Sequence, residues 1–237
     1  MRRVDCKKMS EAWMERLAAH LTVGDDTRER LLVAAGSVFA DRGFGSATVR
    51  EICQLAGANL AAVNYHFGGK EGLYEAVFSR AASEARARFG MDAVFDSTGS
   101  GADRLEAFVR IMLAKVLGDD ATNTHGRLML REMVEPTPVL GKVVENEIRP
   151  FMGHLQGIVR ELLGPEAGED VVRRGCNSVV GQCLFYKHCR PVLEVLYPGV
   201  VENAEELSEH IVTVCLGGLN ALAGKVARPQ DAGVTVG

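Results

Sequence analysis

Asn64, Arg50, Tyr65, His66 and Lys70 fall within one short stretch of the chain, and their side chains suit one kind of chemistry. An asparagine amide pairs bidentately with the edge of adenine, and an arginine fork pairs with guanine. Asn64 is therefore the first candidate for reading bases in a major groove, and Arg50 the second. Tyr65, His66 and Lys70 suit phosphate oxygens, contacts that fix register without carrying sequence information. Two other constellations point elsewhere. Cys183, His188 and Cys189 could form a metal or redox site. Their spacing matches no common zinc pattern and they do not share a helical face well, so buried or half-exposed thiols are the plainer reading. Glu132, Glu135 and His125 could serve an enzyme as acid and base, but no Gly-rich phosphate loop, nucleophile elbow or metal-binding helix accompanies them. The sequence therefore calls for no catalytic residue, metal or cofactor. An all-helical enzyme, or a small-molecule or redox-sensing module, stays as the alternative.

The stretch from Thr27 to Phe78 must position these side chains, and its pattern is helical throughout. Asp26 or Thr27 can cap a first helix whose Leu31, Leu32, Ala35, Val38 and Phe39 form one apolar face. Gly43 stops it, and Phe44 should turn back into the core. Ser46 or Thr48 can cap a second helix with Val49, Ile52 and Leu55 or Ala56 inward and Arg50, Glu51 and Gln54 outward. Gly57 stands where a tight turn requires positive φ. Asn59 caps a short third helix, Leu60 to about His66, anchored by Val63 and Phe67. After Gly68-Gly69, Lys70 opens a fourth helix that should run to about Phe89. This order describes a helix-turn-helix on a three-helix core, a unit that presents a helix to the major groove.

These residues resemble the N-terminal domain of the TetR family of transcriptional regulators. The resemblance is carried by Phe39 with Gly43-Phe44, Thr48-Val49-Arg50-Glu51-Ile52, Ala56-Gly57, Asn64-Tyr65-His66-Phe67 and Lys70-Glu71-Gly72-Leu73. It implies DNA contacts at Thr48, Arg50, Leu60, Ala61, Ala62, Asn64, Tyr65, His66 and Lys70, with the cap Asn59 beside them. The run Leu60-Ala61-Ala62 departs from the commoner polar pattern. Those side chains donate no hydrogen bonds; they suit thymine methyl groups or a close backbone approach. Residues 127–150, RLMLREMVEPTPVLGKVVENEIRP, are similar to the C-terminal domain of a CecR-like subgroup of the family.

The rest of the chain is read in that frame. The expected fold is all-α: an N-terminal extension over 1–24, flexible and with a short amphipathic pattern around Trp13; a helix-turn-helix domain over 25–72; a helical ligand-binding and dimerisation bundle over 73–228; and a disordered tail over 229–237. Within the bundle, helices are expected over about 103–117, 125–134, 139–163 with a kink at Pro150, 170–189 and 204–226. The resemblance implies a homodimer formed by the last two long helices, where Gly175, Ser178 and Gly181, and Gly217, Gly218, Ala221 and Gly224, recur at spacings of three and four. Close packing inside one subunit is the competing explanation. It also implies a small-molecule inducer held among the middle helices. Phe108, Met112, Met129, Met133, Phe151, Phe185 and Tyr186 supply a soft apolar inventory, although ordinary core explains each residue singly. His154, grouped with them, suits a surface or capping role.

Composition agrees with this picture. Net charge is −4, an odd sign for a DNA-binding protein. From Thr27 to Lys70, however, five bases face three acids, so the acidic excess lies elsewhere, and phosphate affinity depends on the local sign. No apolar run approaches the roughly 18–20 residues that span a bilayer, and the N-terminus lacks the apolar stretch of a signal peptide. Six scattered cysteines fit reduced thiols. A cytoplasmic protein is expected, with double-stranded DNA as its partner and no membrane association.

Overall fold

The computed structural model describes residues 26–91, 98–118, 123–201 and 203–226, and among these every regular element is helical. The expectations for the extension 1–24 and the tail 229–237 lie outside the described residues. In chain order the helices are α1 (Thr27–Ser46), α2 (Val49–Ala56), α3 (Leu60–Phe67), α4 (Lys70–Phe89), α5 (Gly101–Leu117), α6 (Thr124–Val134), α7 (Leu140–Val143), a π-helical segment (Val144–Ile148), α8 (Arg149–Leu163), α9 (Glu169–His188), α10 (Arg190–Leu196) and α11 (Ala204–Val226). They form two compact units. The chain passes between the units after Glu84, Asp120 and Val144.

The first unit holds α1 to α3, most of α4, and α6 and α7. Asp26 caps α1 by accepting from the Arg28 amide at 3.4 Å. Leu31, Ala35, Val38 and Phe39 line its buried face, and Ile52 of α2, Val63 of α3 and Leu73, Tyr74, Val77 and Phe78 of α4 are buried in the same unit. The aromatic rings interlock: Phe39 meets Tyr74 edge-on at 4.9 Å, and Phe44 folds back to within 5.2 Å of Tyr74. Such pairs add about 0.5–1.5 kcal/mol each beyond burial.

Helix α6 belongs to this unit because of a polar contact between positions distant in sequence. Glu132, 2% exposed, accepts from the Tyr74 hydroxyl at 2.8 Å and from the Thr137 hydroxyl and amide at 2.9 and 3.1 Å. Arg131 donates to the carbonyls of Ala40 (3.0 Å) and Asp41 at the end of α1, and Arg127 pairs with Asp41. The buried Glu132 carboxylate is thereby matched to three donors, as a low-dielectric interior requires.

The second unit is built around α5. Ser100 and Asp103 start that helix with a reciprocal capping box, two residues ahead of the expected start at Asp103. Leu105, Phe108, Val109 and Met112 pack against Leu155, Ile158 and Val159 of α8, against Val172, Cys176, Val179 and Cys183 of α9, and against Leu207, Ile211, Cys215 and Leu219 of α11.

Three details differ from the sequence expectation. The helix expected over 139–163 with a kink at Pro150 is interrupted by the π-helical segment, and α8 restarts with Pro150 in its first turn. A proline there has no N–H to donate, and its ring crowds the carbonyl four residues back, so the wider π turn relieves the clash. Helix α10 was not expected between 189 and 204. Its signal is Pro191 in the first turn, where the missing N–H is not needed. Gly175 corrects the dimer expectation. It is buried, and a Cβ there would stand 2.9 Å from Val159 and 3.0 Å from Leu219, so its lack of a side chain lets α9 settle between α8 and α11 of the same subunit.

Candidate nucleic-acid interface

The turn that carries α3 is fixed at both ends by local chemistry. Thr48 caps α2 by accepting from the Glu51 amide at 3.2 Å. At the other end Gly57 adopts φ 60°, ψ 37°, and its amide returns to the carbonyls of Cys53 and Gln54. An L-residue with a Cβ is strained in that left-handed conformation. Asn59 then caps α3, its side-chain oxygen accepting from the Ala62 amide at 2.8 Å. That oxygen serves the helix, which leaves only the amide NH2 of Asn59 for DNA.

Val63, fully buried, pins the inner face of α3. A helix so anchored must turn the residues one and two positions on toward solvent. Tyr65 is 85% exposed and Leu60 52% exposed, and Ala61 and Asn64 are exposed beside them, whereas Ala62 and His66 are half-buried. Tyr65 meets His66 edge-on at 4.9 Å. Arg50 and Thr48 are exposed on α2. The surface therefore combines one amide, one phenol and a small apolar strip with flanking cations.

Two of those cations are partly committed. The Lys70 ammonium lies 4.5 Å from the Phe44 ring centroid and 3.5 Å from the Gly45 carbonyl, and burial lowers its pKa. Arg42 pairs with Glu51 at 3.0 Å. A further cation was not anticipated from the sequence: the Arg28 guanidinium sits over the Phe67 ring at 5.4 Å, which places α1's first turn beside the end of α3. The signal was present, since Arg28 precedes an apolar face and Phe67 was already read as an anchor.

Residues 31–77 match the family model described as bacterial regulatory proteins, tetR family. Residues 102–219 match the C-terminal domain of the HTH-type transcriptional dual regulator CecR. The chain belongs to the TetR family. Among curated relatives, CecR of Shigella flexneri is 28% identical over 178 residues, 69% of this chain and 77% of the relative. The regulator UidR of Escherichia coli K12 is 35% identical over 68 residues, 29% of this chain and 35% of the relative. Among solved structures, a proposed transcriptional regulator from Pseudomonas aeruginosa PAO1 is 22% identical, covers 85% of this chain and 93% of its own, and superposes with a TM-score of 0.64. A TetR regulator from Chloroflexus aurantiacus J-10-FL gives a TM-score of 0.56 at 20% identity, covering 79% of this chain and 92% of its own. This TetR-family chain is a DNA-binding transcriptional regulator and belongs to a non-enzymatic family.

The other side chains singled out from the sequence are placed as follows. The Phe108 and Phe151 rings meet at a 34° tilt with centroids 4.8 Å apart in the second unit, with Met112 in the same core and Tyr186 packed against it. Met129 and Met133 stand on α6 of the first unit, Met133 and Phe185 are about half exposed, and His154 is exposed. Ser178 and Gly181 of α9 and Gly217, Gly218, Ala221 and Gly224 of α11 are exposed, together with Val214 and Leu222. Cys183 is buried, its thiol pushed up to about 12 mainly by burial, while Cys189 is half-buried and His188 exposed, so the three share no environment. No described helix is long and apolar enough to cross a membrane.

Proposed function

We propose that the protein is a ligand-responsive repressor that binds a palindromic operator as a homodimer in the cytoplasm. The observation that carries this reading is the outer surface of α3, where Asn64 and Tyr65 stand free on a helix held by Val63. Asn64 reads an adenine edge, Arg50 a second base, and Leu60-Ala61-Ala62 meet thymine methyls. Thr48, the Asn59 amide, Tyr65, His66 and Lys70 hold phosphates. A ligand in the second unit releases the DNA by binding the non-reading conformation more tightly than the reading one. CecR is by name a dual regulator, so activation at some promoters is the second reading. Transcription in vitro from a bound promoter, with and without the protein, separates the two.

Replacing Asn64 by Ala should lower affinity for the selected operator by about 1–3 kcal/mol and leave affinity for random DNA nearly unchanged. Fluorescence-anisotropy titrations against both duplexes measure this. An unaltered ratio of the two affinities would remove Asn64 from the reading surface.

Dimerisation is assigned to the exposed small residues of α9 and α11. Around Gly181, Gly217, Gly218 and Gly224 an added Cβ meets no atom within 4 Å in the single chain. Gly218→Arg therefore fits the isolated subunit, and only a partner would exclude it. Sedimentation should show a wild-type dimer and a folded G218R monomer whose operator affinity falls at least about tenfold, because one half-site is then bound without the other. A dimeric G218R would place the interface elsewhere.

A further inference from the structure

The cations of the first unit fall into two groups. Arg42 pairs with Glu51, Arg80 with Glu29 and Glu84, Arg127 with Asp41, and Lys142 with Glu75. Arg131 donates to the carbonyls of Ala40 and Asp41. Arg28, Arg30, Arg50 and Lys70, by contrast, have no carboxylate partner among the described residues. Arg50 stands in the first turn of α2 and Lys70 opens α4, and both are already read as DNA contacts. The other two come from the first turn of α1 and reach the two ends of α3. The Arg28 guanidinium lies 5.4 Å from the ring centroid of Phe67, the last residue of α3. Arg30 Nη1 lies 3.6 Å from where a Cβ of Gly57 would stand, in the turn that leads into α3. The charge that internal carboxylates leave uncompensated thus gathers around one short helix.

Arg30 is half-buried and partly committed: its Nη2 donates to the Thr27 hydroxyl at 3.2 Å, and its Nε is enclosed without an acceptor. Arg28 is exposed, and its side chain rests on the face of a ring. A guanidinium laid on an aromatic face keeps its N–H donors, which lie in its own plane, available to an anion. A carboxylate partner would have used those donors. Phosphate oxygens accept them in charge-assisted pairs. We infer that Arg28 holds a phosphate of the DNA backbone beside the groove that α3 enters, with the Phe67 ring as the platform that aims it, and that Arg30 adds positive charge to the same rim from the other end. Helix α1 then joins α2, α3 and the start of α4 in facing DNA. The Arg28 contact carries no sequence information; it fixes where α3 sits along the duplex.

The Arg28 contact rests on reading α3 as the DNA face, and the two are measured separately. The full-length protein is titrated by fluorescence anisotropy against the selected operator and a random duplex over a salt series. Each phosphate that a cation neutralises steepens the fall of log affinity with log salt by about 0.9. Arg28→Gln should lessen that slope by about 0.9 for each bound subunit. It should do so on both duplexes, weakening each several-fold and leaving their affinity ratio unchanged. Arg28→Lys keeps the charge and should keep the slope. Arg173→Gln removes an equal charge from α9 in the second unit, where Arg173 pairs with Asp170 at 2.7 Å, and should keep the slope as well. A wild-type slope in Arg28→Gln, a loss confined to the operator, or an equal loss of slope in Arg173→Gln would overturn the contact. An operator preference that survives Asn64→Ala would count against the α3 reading and leave the Arg28 contact standing.

Discussion

Glu132→Leu should destabilise the first unit by about 3 kcal/mol or more, with the second unit nearly unaffected. The carboxylate is buried and receives three donors, the Tyr74 hydroxyl and the Thr137 hydroxyl and amide. Leucine fills comparable space but leaves the buried Tyr74 hydroxyl and the half-buried Thr137 amide without their acceptor. Each orphaned group costs about 1–3 kcal/mol, which exceeds what added apolar burial returns. Glu132→Gln keeps an acceptor and should cost much less. Hydrogen exchange followed by mass spectrometry resolves the two units: amides of α1, α4 and α6 should lose protection in the leucine variant, while those of α9 and α11 keep theirs. Uniform loss across the chain would mean that the pair does not act locally. The same pair gives a pH signature. Burial, then the bond and charge of Glu132, raise the Tyr74 phenol above its ordinary value of 10.0. Above pH 10 the unfolded chain therefore releases a proton that the folded chain retains, so stability falls as pH rises from there. Tyr74→Phe should remove that slope.

Gly72→Ala should be nearly as damaging to DNA binding as any change on the reading surface itself, although Gly72 contacts no base. Helix α4 begins so close to the end of α3 that a Cβ at residue 72 would stand 1.9 Å from the Phe67 carbonyl oxygen. The obstacle is backbone, so no rotamer change relieves it. Either α4 or α3 must move, and α4 is held by Leu73 and Tyr74 in the core of the unit. Helix α3 therefore shifts away from the position that Val63 sets. Overpacking of this kind costs about 1–3 kcal/mol in stability. The larger effect falls on recognition, because hydrogen bonds to base edges weaken steeply once their geometry is lost. Operator affinity should drop at least about tenfold, a loss of roughly 1.4 kcal/mol, while salt-dependent binding to random DNA persists. Anisotropy titrations over a salt series check this. A variant that reads the operator normally would show that the α3–α4 contact tolerates a side chain.

The head was legible in the sequence because its geometry is written in neighbours. Thr48, Gly57 and Asn59 each act on residues within a few positions, so their types alone fix where α2 ends and α3 begins. The membership of α6 was not legible, since it depends on a hydrogen bond between Glu132 and Tyr74, 58 positions apart. Periodicity describes a helix face and does not say which surface covers it. Small residues behave in the same way. Gly175 and Gly181 look equivalent on a helical pattern, yet one is wedged against Val159 and Leu219 and the other is open. A proline within a helical run tells the reader that the ladder fails, but whether it fails as a kink or a π turn depends on what surrounds it. At Pro150 the chain took the second course.

Helix α3, presented twice by a symmetric dimer, is proposed to read a defined DNA sequence. The most direct test of this is selection of bound duplexes from a random pool by the full-length protein, followed by sequencing. An enriched palindrome is expected whose half-sites lie one helical turn of DNA apart, roughly 34–36 Å or a multiple of it, with thymines beside the position that depends on Asn64. A pool that shows no enriched sequence, or one equally enriched by the Asn64→Ala protein, would contradict it.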